Sequence, residues 1–347
     1  MTGVRERGED IRRFILNHVV KHPTDVSKLT AEHFGISRQA VNKHLQKLTV
    51  EGAISETGHT RNRSYKLAPL VERRKEYQIS SDLAEDIVWS GDVRPALGQL
   101  PENVMDIWHY GFTEMFNNAI DHSDGSLVVV RIRKTAISTE MVLSDDGIGI
   151  FKKIQEALHL LDERHAILEL AKGKLTTDPK NHTGEGIFFT SRMFDCFDIL
   201  SGGGVFFTHK FGDDMDWLLE REKFRHGTSV WMEINNHSSR TDAKIFDRYS
   251  TGDDYGFSKT IVPVRLAQYG EDKLISRSQA KRVLARVELF KYIIFDFDGV
   301  KAIGQAFADE IFRVFASRHP EIILSAVKAN SSVKRMIDRA KTGVTNR

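Results

Sequence analysis

The chain has 347 residues, 40% of them hydrophobic and 28% charged, with a formal net charge of +2. That length exceeds one average domain, and the balanced charge excludes a strongly basic or strongly acidic protein as a whole. One cysteine, Cys196, excludes a disulfide framework; with no charged-then-apolar leader and no apolar run near the ~18 residues of a membrane span, a cytoplasmic protein that engages no membrane is expected.

Residues 1–68 read as a first module. Ile11, Phe14, Ile15, Val19 and Val20 recur at helical spacing after Gly8, and His22-Pro23 ends that helix. Ser27 is placed to cap a second helix that holds Leu29, Ala31 and Phe34 and stops at Gly35. Ser37 is placed to cap a third, SRQAVNKHLQKLTVEG, with Ala40, Val41, Leu45 and Leu48 inward and Arg38, Gln39, Asn42, Lys43 and Gln46 outward. Two short strands, around AISE and SYKLA, flank the loop TGHTRNR with Arg61 and Arg63. Residues 1–66 hold 12 Lys and Arg against 7 Asp and Glu, so this part is locally basic.

Three helices followed by a basic hairpin resemble the winged helix-turn-helix domains of bacterial transcription regulators. The resemblance implies double-stranded DNA as partner. Arg38, Gln39, Asn42 and Lys43 would face the major groove, where such side chains read base edges. Arg61 and Arg63 would meet phosphates or the adjacent minor groove. The alternative is a module that binds only protein. Residues 69–80, PLVERRKEYQIS, are charged and aperiodic, and read as a linker or a connecting helix.

Residues 81–240 form the middle module. A long helix is expected from Pro101 to His122, with Val104, Trp108, Phe112, Met115 and Ala119 as its apolar stripe. Glu114, Asn118, Asp121 and His122 share a neighbouring face. GSLVVVRIRK and TEMVLSDDG read as paired strands entering the turn DDGIGI, where Gly147 and Gly149 permit a close turn and Asp145 can accept from an amine. After a helical stretch, TGEGIFF places Gly184 and Gly186 before a helix whose free N–H groups suit phosphate. VFFTHKF and GTSVWMEI read as strands.

EMFNNAIDHS, DDGIGI and TGEGIFF, in that order, resemble the N, G1 and G2 boxes of the Bergerat (GHKL) ATPase superfamily, which includes gyrase, heat-shock chaperone ATPases and histidine kinases. The resemblance implies a two-layer α/β sandwich with a mixed, largely antiparallel sheet, binding ATP and Mg²⁺. Carried over motif by motif, Asn118 would ligate Mg²⁺, with Asp121 and His122 beside it. Asp145 would recognise the adenine amino group and Thr228 would complete that site through water. Gly147 and Gly149 would shape the adenine cleft, and Gly184 and Gly186 would bind phosphates. The stretch between Gly149 and Gly184 would be the lid, with Lys174, Lys180 and His182 in it. Hydrolytic members and anti-sigma serine kinases carry Glu at the position of Glu114, as general base; a mere pocket wall is the alternative. No separate helix with a phosphoacceptor histidine precedes this module, and His109 lies inside the N-box helix, so a two-component histidine kinase is not expected.

Residues 255–347 alternate strand and helix, as a small α/β domain does. FDFDGV resembles the first motif of haloacid-dehalogenase phosphatases, with Asp296 as nucleophile, but only 49 residues follow Asp298. The better resemblance is to STAS-like domains, similar to anti-sigma-factor antagonists, in LISRSQAKR and DFDGVKAIGQAFADEI. The antagonists carry a phosphorylated serine at the turn where this chain has Gly304-Gln305-Ala306. The expectation is an α/β multidomain chain: an ATP-responsive, DNA-binding transcription regulator, homodimeric, with a protein partner for its STAS-like domain. The alternatives are an anti-sigma-type serine/threonine kinase acting on a STAS protein, and an ATP-gated dimer clamp.

Overall fold

The computed structural model describes residues 2–59, 62–175, 184–202, 205–211, 216–220, 226–251, 254–268 and 273–342. The chain is a mixed α/β protein whose sheets differ in orientation. The N-terminal part has helices α1 (Thr2–His18), α2 (Val26–Phe34) and α3 (Arg38–Val50), then strands β1 (Ile54–Thr57) and β2 (Ser64–Leu67), an antiparallel hairpin. Ile11, Ile15, Val19, Val26, Val41, Leu45, Leu48, Ile54 and Tyr65 bury into one separate core. Each large aliphatic side chain so buried contributes about 1.5–3 kcal/mol. The α3 cap is as expected, with the Ala40 N–H donating to Ser37 Oγ at 3.2 Å. The other two helices differ from expectation in detail. Val20 is 66% exposed, two residues beyond the helix end at His18, whereas Val19 still turns into the core. Asp25, not Ser27, flanks α2, whose end at Gly35 takes the left-handed φ of 61°.

Residues 69–80 are not a linker. They contain β3 (Val71–Gln78), the edge strand of a seven-stranded sheet. Its charged run follows from that position: one long edge is unpaired, both faces stay wet, and Tyr77 alone is buried. The other strands are β4 (Leu127–Lys134), β5 (Ser138–Asp145), β6 (Cys196–Ser201), β7 (Val205–Lys210), β8 (Asp216–Glu220) and β9 (Thr228–Asn235). Their order is β3-β4-β5-β9-β6-β7-β8, antiparallel throughout. Alternating burial along β4, β5 and β9 turns one face to the core and leaves Trp231 41% exposed on the other.

Packing against the seven strands is supplied by α4 (Glu85–Val88), a π turn at Trp89–Val93, α5 (Arg94–Leu97), α6 (Glu102–His122), α7 (Ile150–Ala157), α8 (Glu163–Lys172) and α9 (Gly186–Met193). The predicted stripe of α6 is fully buried: Val104, Trp108, Phe112, Met115 and Ala119. Gly111 lets α6 approach α9, since a Cβ there would stand 2.6 Å from the Phe194 ring.

The remainder comprises α10 (Asp242–Tyr249), β10 (Ser250–Thr251), β11 (Asp254–Phe257), β12 (Lys259–Pro263), α11 (Arg277–Leu284), β13 (Tyr292–Asp296), α12 (Gln305–Asp309), a π turn at Glu310–Phe315, α13 (Ala316–Arg318), β14 (Ile323–Val327) and α14 (Ser331–Thr342). Strands β12, β13 and β14 form a parallel sheet in that order. Ser276 and Gln279 make a reciprocal capping box on α11. One apolar core runs without interruption from the seven-stranded sheet into this sheet. Phe188 and Phe189 of α9 meet Phe257 at centroid distances of 4.6 and 4.9 Å, across that junction.

Candidate functional site

Helix α6 carries Glu114, Asn118 and His122 on one side, and all three line a cavity of about 320 Å³. Met115 and Ala119 continue the same side into the cavity floor. Asp121 does not join them. It is exposed and does not line the cavity.

Strand β5 delivers Asp145 to the cavity at its last residue. Asp145 Oδ1 accepts the Gly147 N–H at 3.0 Å and the Thr228 N–H at 3.1 Å. Burial pushes the Asp145 carboxyl up, opposed by those two N–H donors. Thr228, the first residue of β9, uses Oγ1 to accept the Ile150 N–H at 3.0 Å. The strand end and the DDGIGI turn are thus stapled together at the cavity. Gly147 and Gly149 stand behind this wall rather than in it, since neither lines the cavity. A Cβ on Gly147 would lie 2.0 Å from the Ser123 carbonyl oxygen, and one on Gly149, at φ 94°, would lie 2.6 Å from Ser201 Oγ. Their smallness lets the turn press against the end of α6 and the end of β6.

Gly184 and Gly186 do line the cavity. Gly186 begins α9, and a Cβ on it would lie 1.9 Å from Glu114 Oε2. The Glu114 carboxylate therefore rests against the helix start, where free N–H groups favour negative charge. Glu185 sits between the two glycines; burial pushes its carboxyl up, and Lys174 opposes this. Burial, with the charges of Glu114 and Glu185, pushes the Tyr110 hydroxyl well up, so it stays a neutral phenol.

Several lining residues lie outside the three sequence motifs: Lys153, Ile154, Leu170, Leu175, Ile199 and Val230. Apart from Lys153 their side chains are apolar and suit a flat ring, whereas the glycine end is polar. Lys153 Nζ is 2.8 Å from Asp124 Oδ2 at the rim. A lysine one turn into a helix after DDGIGI can be found by reading the sequence; the aliphatic walls come from distant elements and cannot. Lys174 donates to the Leu289 carbonyl at 3.1 Å. Lys180 and His182 lie outside the described residues. Among the described residues, no group of three or more His, Cys, Asp or Glu side chains could hold a metal ion.

At the other end of the chain, Arg38, Gln39, Asn42 and Lys43 are exposed together along α3. Ser27 Oγ lies 3.4 Å from Asn42 Oδ1. Arg63 does not stand free on the hairpin: its Nη1 is 3.7 Å from Glu56 Oε2, because the register sets Glu56 beside it. Arg61 lies outside the described residues. No helix among the described residues is long and apolar enough to cross a membrane.

Comparison with known families matches residues 279–334 to a STAS-like domain of unknown function (DUF4325). The match covers most of α11 through the start of α14 and bears out the STAS-like reading of the C-terminal part. No match to the chain is found among curated proteins.

Proposed function

We propose that this chain is an ATP-responsive DNA-binding regulator, with a Bergerat-type nucleotide pocket in residues 81–240 and a winged helix in residues 1–68. The convergence of three separated motifs carries the reading. Glu114 and Asn118, Asp145, and Gly184 and Gly186 are far apart in sequence, yet all line one cavity with Thr228. Its donor set fits the ligand class: a buried carboxylate for an exocyclic amine, aliphatic walls for a base, and a glycine-bounded helix start for phosphates.

On this reading Asp145 accepts from the adenine amine with the oxygen capacity left by its two backbone donors. Thr228 fixes the strand end against the turn. Asn118 offers its amide oxygen on the phosphate side. Glu114 takes a proton from a water or hydroxyl nucleophile. Mg²⁺, when bound with the triphosphate, supplies neutralisation of its charge.

Titration calorimetry with Mg-ATP is the direct test. One site per chain is expected. Asp145→Ala should weaken it by about 10–100-fold, the worth of a hydrogen bond to a charged group. Affinity should also fall on acidification, setting in at a higher pH than for an ordinary aspartate. The sign follows from the raised carboxyl: the acceptor form exists above the folded value and is lost as pH drops through it. Absence of binding heat at any pH would reject the nucleotide reading.

The exposed row on α3 supports the DNA half of the proposal. Anisotropy titrations of the full chain on a random-sequence duplex should weaken with salt. On such nonspecific DNA these cations sit against phosphates rather than base edges, so the double variant Arg38→Ala/Lys43→Ala should lower the log–log salt slope by roughly 2, about 0.9 for each phosphate no longer neutralised. An unchanged slope would leave α3 as a protein-binding surface.

A further inference from the structure

Between the cavity and the C-terminal sheet lies a fully buried ammonium group. Lys172, the last residue of α8, is 1% exposed. Its Nζ donates to Glu169 Oε1 at 2.7 Å, to the Ala285 carbonyl at 2.8 Å and to the Arg282 carbonyl at 3.1 Å. An ammonium has three N–H donors, so this set is complete. Glu169, also buried, holds Arg286 Nη1 at 3.3 Å on its other oxygen. Thr260 Oγ1 of β12 donates to the Lys172 carbonyl at 2.6 Å. Arg286 Nη2 donates to the Lys174 carbonyl, and Lys174 Nζ to that of Leu289. Every bond in this set that leaves residues 169–174 ends on residues 260–289.

The same short segment faces the cavity on its other side. Leu170 and Leu175 line it. The Leu175 N–H donates to the Gly184 carbonyl at 2.9 Å, and a Cβ on Gly184 would lie 2.4 Å from the Leu175 backbone. Gly173, at φ 83°, approaches Phe257 so closely that a Cβ would stand 2.6 Å from its ring. The strap from Glu169 to Leu175 thus touches the G2-type glycine on one side and the C-terminal module on the other. An apolar side chain would seat α8 without desolvating a charge. Three directional bonds do what apolar contact does not: they fix a single register of the strap.

We propose that Lys172 is a positioning residue through which the C-terminal module sets the wall of the nucleotide cavity, making that module a regulator of nucleotide binding. The inference rests on the nucleotide reading of the cavity. Coupling of this kind is reciprocal: nucleotide in the cavity must stabilise the Arg282–Leu289 anchor as much as the anchor favours nucleotide. A protein docking on the C-terminal module and displacing that anchor would release nucleotide.

Hydrogen exchange of the full chain, with and without a non-hydrolysable Mg-ATP analogue, reads both directions. In the wild type, nucleotide should slow amide exchange across residues 282–290. In Lys172→Met that protection should vanish and the nucleotide Kd should rise roughly tenfold, within the usual range of coupling factors. Thr260→Val removes one bond to the strap while leaving Lys172 paired; it should shift both readouts the same way, by less, and serves if Lys172→Met does not fold. Nucleotide binding by the wild type without protection of residues 282–290, or wild-type Kd in the folded variants, overturns the coupling. A wild type that binds no nucleotide overturns the cavity reading instead, and this inference with it.

Discussion

Glu114→Gln is expected to slow phosphate release from Mg-ATP by roughly 10²–10⁴-fold while leaving nucleotide affinity within a few-fold of wild type. Glutamine fills the same space against Gly186, so the helix start and the cavity keep their shape. It cannot take a proton, and a positioned general base contributes typically 10²–10⁴-fold. The carboxylate sits one helical turn before Asn118, on the side of α6 that faces the cavity, which is where a nucleophile beside the phosphate end would be. Gly186→Ala should act through the same group. Its Cβ would lie 1.9 Å from Glu114 Oε2, the far end of a flexible side chain, so the carboxylate swings away at little cost in stability. Both variants should therefore bind nucleotide, melt near the wild type and turn over slowly. Single-turnover release of labelled phosphate, paired with calorimetric titration, separates the outcomes. Turnover unchanged in Glu114→Gln would leave Glu114 as a wall of the cavity. Binding and turnover lost together would make it a structural support.

Much of this site is written locally. The stripe of α6 and its polar flank follow from a 3.6-residue period, and the same period places Glu114, Asn118 and His122 in the cavity. The period alone does not set Asp121 apart: seven residues after Glu114 it shares nearly the same helix direction, yet it is exposed and does not line the cavity. Residues 69–80 mislead for a different reason. An edge strand with both faces wet shows no alternation, and its charge resembles a linker. β6 and β8 give no clear signal of their own, since only pairing with β9 and β7 makes strands of those segments. The strap is the least legible part. Nothing near Lys172 in sequence announces partners 110 and 113 residues away, and a lysine at a helix end reads as a solvated one. Long-range contacts that satisfy a buried charge are fixed by tertiary packing alone.

Gly147→Ala, just behind the cavity wall, is expected to destabilise the chain by roughly 1–3 kcal/mol and to remove Mg-ATP binding. A Cβ at this position would lie 2.0 Å from the Ser123 carbonyl oxygen and 2.6 Å from its carbon. These are backbone atoms, so no rotamer change relieves the overlap. The neighbouring Ile148 N–H donates to that same Ser123 carbonyl at 3.0 Å, which holds the turn against the end of α6. Moving the turn breaks this bond and drags Asp145, whose Oδ1 accepts from the Gly147 N–H itself. Moving the helix end instead displaces His122 and Asn118. Either way the two halves of the cavity separate. Gly91→Ala is the matched control, because a Cβ there meets nothing within 4 Å. Urea midpoints and nucleotide titrations of the two variants decide the matter. A Gly147→Ala protein that matches Gly91→Ala in both would mean that the turn and α6 are not held together as tightly as their contacts imply, and that the cavity tolerates their separation.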